Sequence, residues 1–200
     1  MFPEITRDDI FRLETQRLWL RWPRAADADA ISRFAGDPEV ALKTANIPQP
    51  YERRHADAHI LQMRETNAAG SGLCLAITLK ASPNEAIGLI DACGAEHRGE
   101  SALGFWLARP FWSRGLMTEA ARAFIDLVFN LTSLDHIVCS ALPSNAASLR
   151  VQEKLGFIAT GEATIDAPAR GGAIRVTATV LKRGAAHAPY SALPARRASS

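Results

Sequence analysis

The sequence has little net charge. Its 23 Lys and Arg residues nearly balance its 21 Asp and Glu residues, which leaves a formal net charge of +2 over 200 residues. Composition therefore indicates neither a nucleic acid nor a membrane surface as a partner. Long hydrophobic runs are also missing, since none approaches the ~20 apolar residues that cross a bilayer. The acidic, polar start MFPEITRDDIF is unlike a secretory signal. We therefore predict a cytoplasmic protein without a membrane partner.

Cysteine and clustered metal ligands are scarce as well. The three cysteines, Cys74, Cys93 and Cys139, each lie in an apolar, strand-like run, which favours buried free thiols over a catalytic cysteine or a disulfide. His55 and His59 stand four residues apart, but no third ligand lies nearby in sequence, and catalytic zinc needs about three. A solvated helix face is therefore favoured over a metal pair, and we predict no metal. The nucleotide-binding pattern GxxxxGK[ST] is missing too, which counts against a nucleotide-binding module.

The length fits one domain with tails. Hydrophobic residues make up 48% and charged residues 22% of the chain, as is ordinary for a globular protein. Residues 1–12 have no clear pattern and are predicted to form an N-terminal extension that packs loosely or not at all. Residues 13–183 form the predicted domain. Residues 184–200, GAAHAPYSALPARRASS, have no period and are predicted to be a disordered tail.

The most informative stretch is residues 103–130, LGFWLARPFWSRGLMTEAARAFIDLVFN. An apolar run at 103–107 predicts a buried strand, and Pro110 ends it. A tight turn at 112–115 follows, and apolar residues then recur every three or four positions, which predicts a helix. The first backbone N–H groups of such a helix are unpaired and lie at the positive end of its dipole. The stretch therefore predicts an anion site that suits a phosphate.

The flanking sequence predicts a mixed sheet. Leu18, Leu20 and Trp22 alternate with other residues, as in a half-buried strand. A strand at 136–141 follows the central helix, so residues 103–141 form a βαβ unit with two parallel strands. A helix over about 145–155 ends at Gly156. The remaining strands are predicted to form two hairpins, at 73–79 with 86–92 and at 157–165 with 174–181.

Three short motifs carry a family resemblance. Residues 112–117, W-S-R-G-L-M, resemble the pyrophosphate-binding turn Q/R-x-x-G-x-G/A of the GNAT superfamily of acyl-CoA-dependent N-acyltransferases, with Gly115 as the matching glycine. Together with Thr118-Glu119-Ala120, this turn resembles the "fW-x-rG-x-x-TEA" version of the branch that acetylates ribosomal-protein N-termini. The opening LETQRLWLR is similar to "L-x-T-x-R-L-x-L-R" of that branch. Residues 145–157 are similar to the superfamily's "N-x-x-S…K-L-G-F" signature.

The resemblance implies a fold and an activity for residues 13–183. The implied fold is α/β, a GNAT-like mixed, mostly antiparallel sheet of about seven strands with one splayed parallel pair and about four flanking helices. The implied activity is acetyl-CoA-dependent N-acetyl transfer to an amine, which is a protein N-terminus, an amino acid or a small amine. The alternative is a non-catalytic CoA-binding or sensory domain of the same fold. The implied partners are acetyl-CoA and the amine acceptor, with no nucleic acid, in a monomer or homodimer.

The resemblance also implies how the cosubstrate is held. Backbone amides of the turn would bind the pyrophosphate, and a backbone N–H near residues 106–108, where the central strand leaves its neighbour, would polarise the thioester carbonyl. The residues predicted to bind the cosubstrate are Leu107, Ala108, Arg109, Trp112, Ser113, Arg114, Gly115, Leu116, Met117, Thr118, Asn145 and Lys154.

Only some of the catalytic residues that the resemblance implies have a counterpart in this sequence. Gln152 occupies the position of the tyrosine that many members use as the leaving-group acid, and Ser148 matches the serine that has this role in the ribosomal branch. Asn145 would bind pantetheine or order a water, with helix capping as the alternative. The carboxylate usual on the central strand would fall near Ala102, which has none.

Nearby carboxylates replace it as candidates for the base. Glu100 and Asp166 are the candidates, together with Glu162, and a chain of waters is the alternative. In the turn after Asp166, Arg170 points either into the acceptor pocket or to solvent.

Overall fold

The computed structural model describes residues 2–94 and 100–185, so the predicted tail lies outside the described residues from 186 onward. Eight strands form one sheet in the order β1-β2-β3-β4-β5-β6-β8-β7. The strands are β1 (Arg12–Glu14), β2 (Leu18–Arg21), β3 (Gly72–Leu79), β4 (Ser82–Cys93), β5 (Glu100–Leu107), β6 (His136–Ala141), β7 (Ile158–Ala167) and β8 (Gly172–Lys182). The helices of this part of the chain are α1 (Ala28–Ala35), α2 (Pro38–Ala41), α3 (Arg53–Ala69), α4 (Leu116–Leu131) and α5 (Ala146–Lys154).

The predicted mixed sheet is confirmed, with one parallel pair at its centre. Every neighbouring pair is antiparallel except β5 and β6, which are joined by α4. The parallel register covers only residues 100–102 of β5 and 136–138 of β6. Beyond these three pairs the strands separate toward their C-terminal ends, and this opening is called the gap below.

Apolar side chains cover both faces of the sheet. One face packs under α4, where Phe124 and Val128 meet strand residues such as Leu20, Ile77 and Ile90. Leu18, Leu20 and Trp22 are buried, as the alternation around β2 predicts, but Arg21 of the opposite set is buried too and pairs with Asp27. The other face packs under α1 and α3. Adjacent residues of a strand therefore point to opposite faces of the sheet. Only side chains on the face under α1 and α3 border that side of the gap.

The N-terminal segment is better packed than the sequence indicates. Phe2 is buried, and its backbone N–H donates to the Gly70 carbonyl over 2.9 Å. The Trp22 indole Nε1 donates to the Thr6 carbonyl over 3.1 Å. Residues 12–14 then form β1, which turns back into β2 and makes the eighth strand. These contacts join residues far apart in sequence, so no local sequence pattern predicts them.

Candidate active site

The cradle is the turn that leads from β5 into α4. Gly115 has φ +72° and precedes the helix directly, and no side chain caps that end. The first helical hydrogen bond runs from the Glu119 N–H to the Gly115 carbonyl over 3.0 Å. The N–H groups of residues 116–118 therefore have no partner within the helix. Together with the helix dipole they form an anion-binding end.

Glu119 fixes this turn to the β1–β2 connection. Its Oε1 accepts hydrogen bonds from Thr15 Oγ1 over 2.6 Å and from the Arg17 N–H over 2.8 Å, and its Oε2 accepts from Arg17 Nε over 2.6 Å. Arg17 Nη1 also donates to the Arg114 carbonyl over 3.0 Å. Burial by itself would raise the pKa of Glu119, but the hydrogen bonds from Thr15 and Arg17 bring the pKa below its usual value. The motif residues at 15, 17 and 119 thus form one structural unit.

A cavity of about 1160 Å³ runs from the cradle through the gap to the side covered by α3. Most residues predicted to bind the cosubstrate line it, namely Leu107, Trp112, Ser113, Gly115, Leu116, Met117, Thr118, Asn145 and Lys154. Three predicted residues do not line it. Ala108 is fully buried in the sheet, while Arg109 and Arg114 are exposed on the surface of the turn. The cavity therefore joins the anion-binding end of α4 to the gap in a single space.

The backbone N–H groups at the end of β5 point alternately toward β4 and toward β6. The Ala108 N–H donates to the Ile87 carbonyl over 2.8 Å, so it is not free to polarise a carbonyl group in the gap. Donor direction alternates along an antiparallel strand. The N–H groups of Phe105 and Leu107 therefore point toward β6, across the gap. This narrows the predicted donor region of 106–108 to Leu107 and adds Phe105.

Helix α5 presents Ser148 to the cavity. Asn145 caps the helix, and its Oδ1 accepts from the Ser148 N–H over 3.2 Å. The buried Gln152 donates from Nε2 to Ser148 Oγ over 3.1 Å, and its Oε1 accepts from Thr179 Oγ1 over 2.7 Å. Because Ser148 Oγ accepts this bond, its own hydrogen is free to point elsewhere. Ser148 lines the cavity, so the hydroxyl can act there as a donor.

The carboxylates that the sequence offers as bases lie outside the cavity. Glu100 is the first residue of β5 rather than part of a loop, and its Oε2 lies 3.5 Å from His136 Nε2. Seven residues of strand separate it from Leu107, a distance of roughly 23 Å. Asp166 is exposed, and its neighbour Ile165 is the one that lines the cavity. Because adjacent strand residues point to opposite faces, Asp166 points away. Glu162 is likewise exposed.

Sequence reasoning missed Asp91. This residue lies on β4 directly opposite Gly104 of β5, and among the described residues lining the cavity it is the one that carries a carboxyl group. Burial raises the pKa of Asp91 to about 6. The signal in the sequence is a single acidic residue inside the otherwise apolar run 87–93. Only the strand register shows that it faces the cavity.

The α3 side of the cavity contains His55 and His59. Both line the cavity, in contrast to the predicted solvated face. The Nδ1 of His55 accepts from the Glu52 N–H over 3.0 Å, and burial lowers the pKa of His59. Across the described part of the chain, His, Cys, Asp and Glu form no group of three or more that could hold a metal.

Arg170 points neither into the cavity nor to solvent. Its guanidinium donates to the backbone carbonyls of Thr44 over 3.0 Å and Ala41 over 2.8 Å, and also to that of Ile47. These carbonyls belong to the end of α2 and the connection after it, which forms one wall of the cavity. Arg170 therefore holds that wall to the β7–β8 hairpin.

The three thiols are free, as predicted, and all line the cavity. Cys74 and Cys139 are buried, whereas Cys93 is partly exposed. The Cys93 thiol, 3.8 Å from Cys74 Sγ, and burial together raise the pKa of Cys74. Burial raises the pKa of Cys139 to about 12. Both of these groups are thiols at neutral pH, which disfavours either as a nucleophile.

Comparison with known proteins identifies the family. The acetyltransferase (GNAT) domain matches residues 17–158. The uncharacterised N-acetyltransferase p20 of Bacillus licheniformis is 30% identical over 149 residues, which are 72% of this chain and 81% of that protein. None of the helices described here is long and apolar enough to cross a membrane.

Solved structures share the fold. The ribosomal-protein-S5-alanine acetyltransferase of Vibrio fischeri superimposes with a TM-score of 0.71 at 19% identity, over 86% of this chain and 96% of that one. RimJ of Mycobacterium smegmatis, solved in complex with CoA-disulfide, superimposes with a TM-score of 0.73 at 21% identity, over 88% and 91% of the two chains. The domain match and the relative from Bacillus licheniformis together show that this chain belongs to the GNAT acetyltransferase family.

Proposed function

We propose that the protein is an acetyl-CoA-dependent N-acetyltransferase that transfers the acetyl group directly to an amine. One observation carries the proposal: the gap between β5 and β6 opens beside the anion-binding end of α4 within one cavity. A CoA thioester needs a phosphate site and, next to it, a slot for its extended arm. The structure of RimJ with CoA-disulfide supports the same ligand class for this chain.

The cosubstrate is proposed to lie along the cavity. Its pyrophosphate binds the N–H groups of residues 116–118, and Lys154 at the end of α5 lies on the same cavity surface. The pantetheine arm extends through the gap past Asn145 and Ser148. The thioester then reaches the C-terminal mouth of the parallel pair near Leu107. Arg109 and Arg114 are exposed at the turn, and we assign them a role in attracting the CoA phosphates.

The chemistry follows from the groups at the gap. The amine nitrogen attacks the carbonyl carbon while the N–H groups of Phe105 or Leu107 stabilise the oxyanion. The C–S bond then breaks with its electron pair on sulfur. The Ser148 hydroxyl gives its proton to the leaving thiolate and recovers one through water, while the attacking nitrogen releases a proton to water as the amide forms. Ser148 is the proposed leaving-group acid, and Asn145 positions it through the cap of α5.

The acceptor is proposed to enter from the α3 side of the cavity. The wall at 41–47, held by Arg170, and the α3 residues His59 and Met63 border that entrance. The solved relative from Vibrio fischeri is a ribosomal-protein alanine acetyltransferase, which makes a protein N-terminus the leading acceptor class. Free amino acids and small amines are the other classes. We further infer a monomer or homodimer in the cytoplasm.

Acetyl-CoA turnover against a mixed library of peptides, amino acids and small amines tests the proposal. Free thiol release that depends on the amine, with an acetylated product found by mass spectrometry, is the expected result. Ala102 and Gln152, which stand where many relatives have a carboxylate and a tyrosine, favour the alternative of a non-catalytic CoA-binding domain. CoA binding by calorimetry without turnover on any amine would establish that alternative.

A further inference from the structure

The proposed reaction needs a group that takes a proton from the amine. An aliphatic amine is largely an ammonium ion at neutral pH and cannot attack until it loses a proton. Ala102 offers no such group, and Glu100 and Asp166 lie outside the cavity. The proton acceptor must therefore be another group that faces the gap.

Asp91 stands on the face of the sheet where that group is needed. Cys93 pairs with Ala102, and Asp91 pairs with Gly104, two residues nearer the mouth of the gap. Side chains two residues apart on a strand share a face. Asp91 therefore faces the same side as Ala102, on the neighbouring strand. Gly104 lies in the part of β5 that has already left β6, since their pairing ends at residue 102.

Gly104 provides the space for the carboxylate. A Cβ atom built at this position would lie 2.8 Å from Asp91 Oδ2 and 2.9 Å from Oδ1, which is closer than atoms of these types approach. Any side chain at 104 would displace the carboxylate. Glycine at this position thus lets the carboxyl group of Asp91 lie flat against β5 beside the gap.

We propose that the Asp91 carboxylate is the catalytic proton acceptor for the amine; this role rests on the N-acetyltransferase function proposed above. The carboxylate takes one proton from the ammonium group and passes it to water. The neutral amine forms the N–C bond, the C–S bond breaks, and the second proton leaves nitrogen while the thiolate is protonated. The balance is one ammonium ion and one thioester giving one amide, one thiol and one released proton.

Among the described residues that line the cavity, Asp91 is the one with a carboxyl group, and its immediate neighbours are as follows. Cys74 faces it from β3, Cys139 from β6 and Cys93 from its own strand, and none of these three neighbours is a carboxylate, a lysine or an arginine. His59 borders the same cavity from α3, and burial lowers its pKa. Gly104 of β5 adds no charge. The raised pKa of Asp91, about 6, makes it a stronger base than an ordinary aspartate while keeping it ionised above that pH.

Steady-state kinetics of the full chain over about pH 5 to 9 test this role. The amines are unblocked alanine- and serine-initiated peptides, free amino acids and n-butylamine. Wild type is compared with Asp91→Asn, Asp91→Glu and the matched control Asp135→Asn, whose side chain is exposed. We expect kcat of Asp91→Asn to fall about 10²-fold with CoA affinity unchanged, and the acidic limb near pH 6 to disappear. Asp91→Glu should recover part of the rate, and Asp135→Asn should match wild type.

The outcomes separate this role from the function itself. If wild type turns over and folded Asp91→Asn keeps both its kcat and its acidic limb, another group or water accepts the proton and the role of Asp91 is overturned. A rise in the acceptor KM alone, with kcat unchanged, overturns it as well, because Asp91 would then only bind the cation. If wild type binds CoA but acetylates no amine in the panel, the proposed function fails, and this role fails with it.

Discussion

Ser148 is hydrogen-bonded to two neighbours at α5, one through its backbone and one through its hydroxyl group. Asn145 accepts from its backbone N–H, and Gln152 donates to its hydroxyl oxygen. Gln152 itself is buried and bonded to Thr179. Gln152, which cannot be an acid, therefore orients the hydroxyl that can.

Ser148→Ala should lower kcat by about 10²-fold with the Kd of CoA little changed, because one positioned proton donor is lost. Ser144→Ala is the matched control, since Ser144 is exposed just before the same helix. Thiol-release kinetics and calorimetry provide the two quantities. A fully active Ser148→Ala enzyme would transfer the acid role to water.

Gly115 is a second residue on which the proposed site depends, because it sets the conformation of the turn before α4. A Cβ atom there would meet only Arg17 Nη2, at 3.7 Å, so space is available and the constraint comes from the φ of +72°. Gly115→Glu adds this strain and places a negative charge beside the N–H groups that are proposed to bind phosphate. The CoA affinity should fall at least tenfold, or about 1.4 kcal/mol.

Calorimetric titration of CoA into Gly115→Glu and Gly115→Ala separates the two effects. Gly115→Ala reports the strain alone, so it should lose less affinity than the charged variant. Unchanged CoA binding by folded Gly115→Glu would contradict the placement of the pyrophosphate at α4.

At the scale of elements, two connections far from each other in sequence are held by side-chain hydrogen bonds. Glu119 and Arg17 join the start of α4 to the β1–β2 turn. Arg170 joins the β7–β8 hairpin to the wall at 41–47. The first contact holds the proposed phosphate end of the cavity, and the second holds the proposed acceptor end. Each end can therefore be altered without the other.

Arg170→Ala should loosen the wall at 41–47, because the hydrogen bonds from the guanidinium to three backbone carbonyls are lost. We expect the acceptor KM to rise about tenfold, a difference of about 1.4 kcal/mol, with the Kd of CoA unchanged. Arg170→Lys keeps the charge but not the fork of donors, so it should resemble Arg170→Ala. Arg175→Ala, at an exposed position on β8, is the control. An unchanged KM for every acceptor on the panel would mean that this wall does not contact the amine.

At the scale of the whole molecule, Asp91 lowers stability at neutral pH. Its pKa is about 6 in the folded protein and 3.8 for the free side chain, so the folded state binds the proton more tightly. The free energy of unfolding therefore decreases as the pH rises from about 4 to about 6, and the loss remains above that range.

Asp91→Asn should remove this penalty and raise the free energy of unfolding near pH 7.5 by up to about 3 kcal/mol, since the pKa difference of about two units corresponds to roughly 1.4 kcal/mol per unit. The gain should vanish near pH 4, where wild-type Asp91 is protonated as well. Urea unfolding of both proteins at the two pH values measures it, with Asp135→Asn as the reference. An equal difference at both pH values would show that packing, rather than ionisation, distinguishes Asp91→Asn from wild type.

Local patterns in the sequence predicted much of this molecule. The alternation around Leu20, the βαβ unit and the turn at Gly115 all appear in the structure, because each depends on residues close together in the chain. The placements of Phe2, Glu100 and Arg170 were not predictable in this way. Each depends on strand register or on contacts across more than thirty residues. Asp91 belongs to the same class, since its position opposite Gly104 exists only once β4 and β5 are paired.

The short pairing of β5 with β6 leaves room in the sheet for the proposed cosubstrate. The peptide groups of Phe105 and Leu107 face the gap, where a continuous sheet would have a neighbouring strand. The arm of CoA contains amide groups that can take the place of that strand. Binding of the proposed cosubstrate would then add hydrogen bonds along this part of β5. Amide hydrogen exchange at these two residues should slow when CoA binds, far more than at the already paired Ala108.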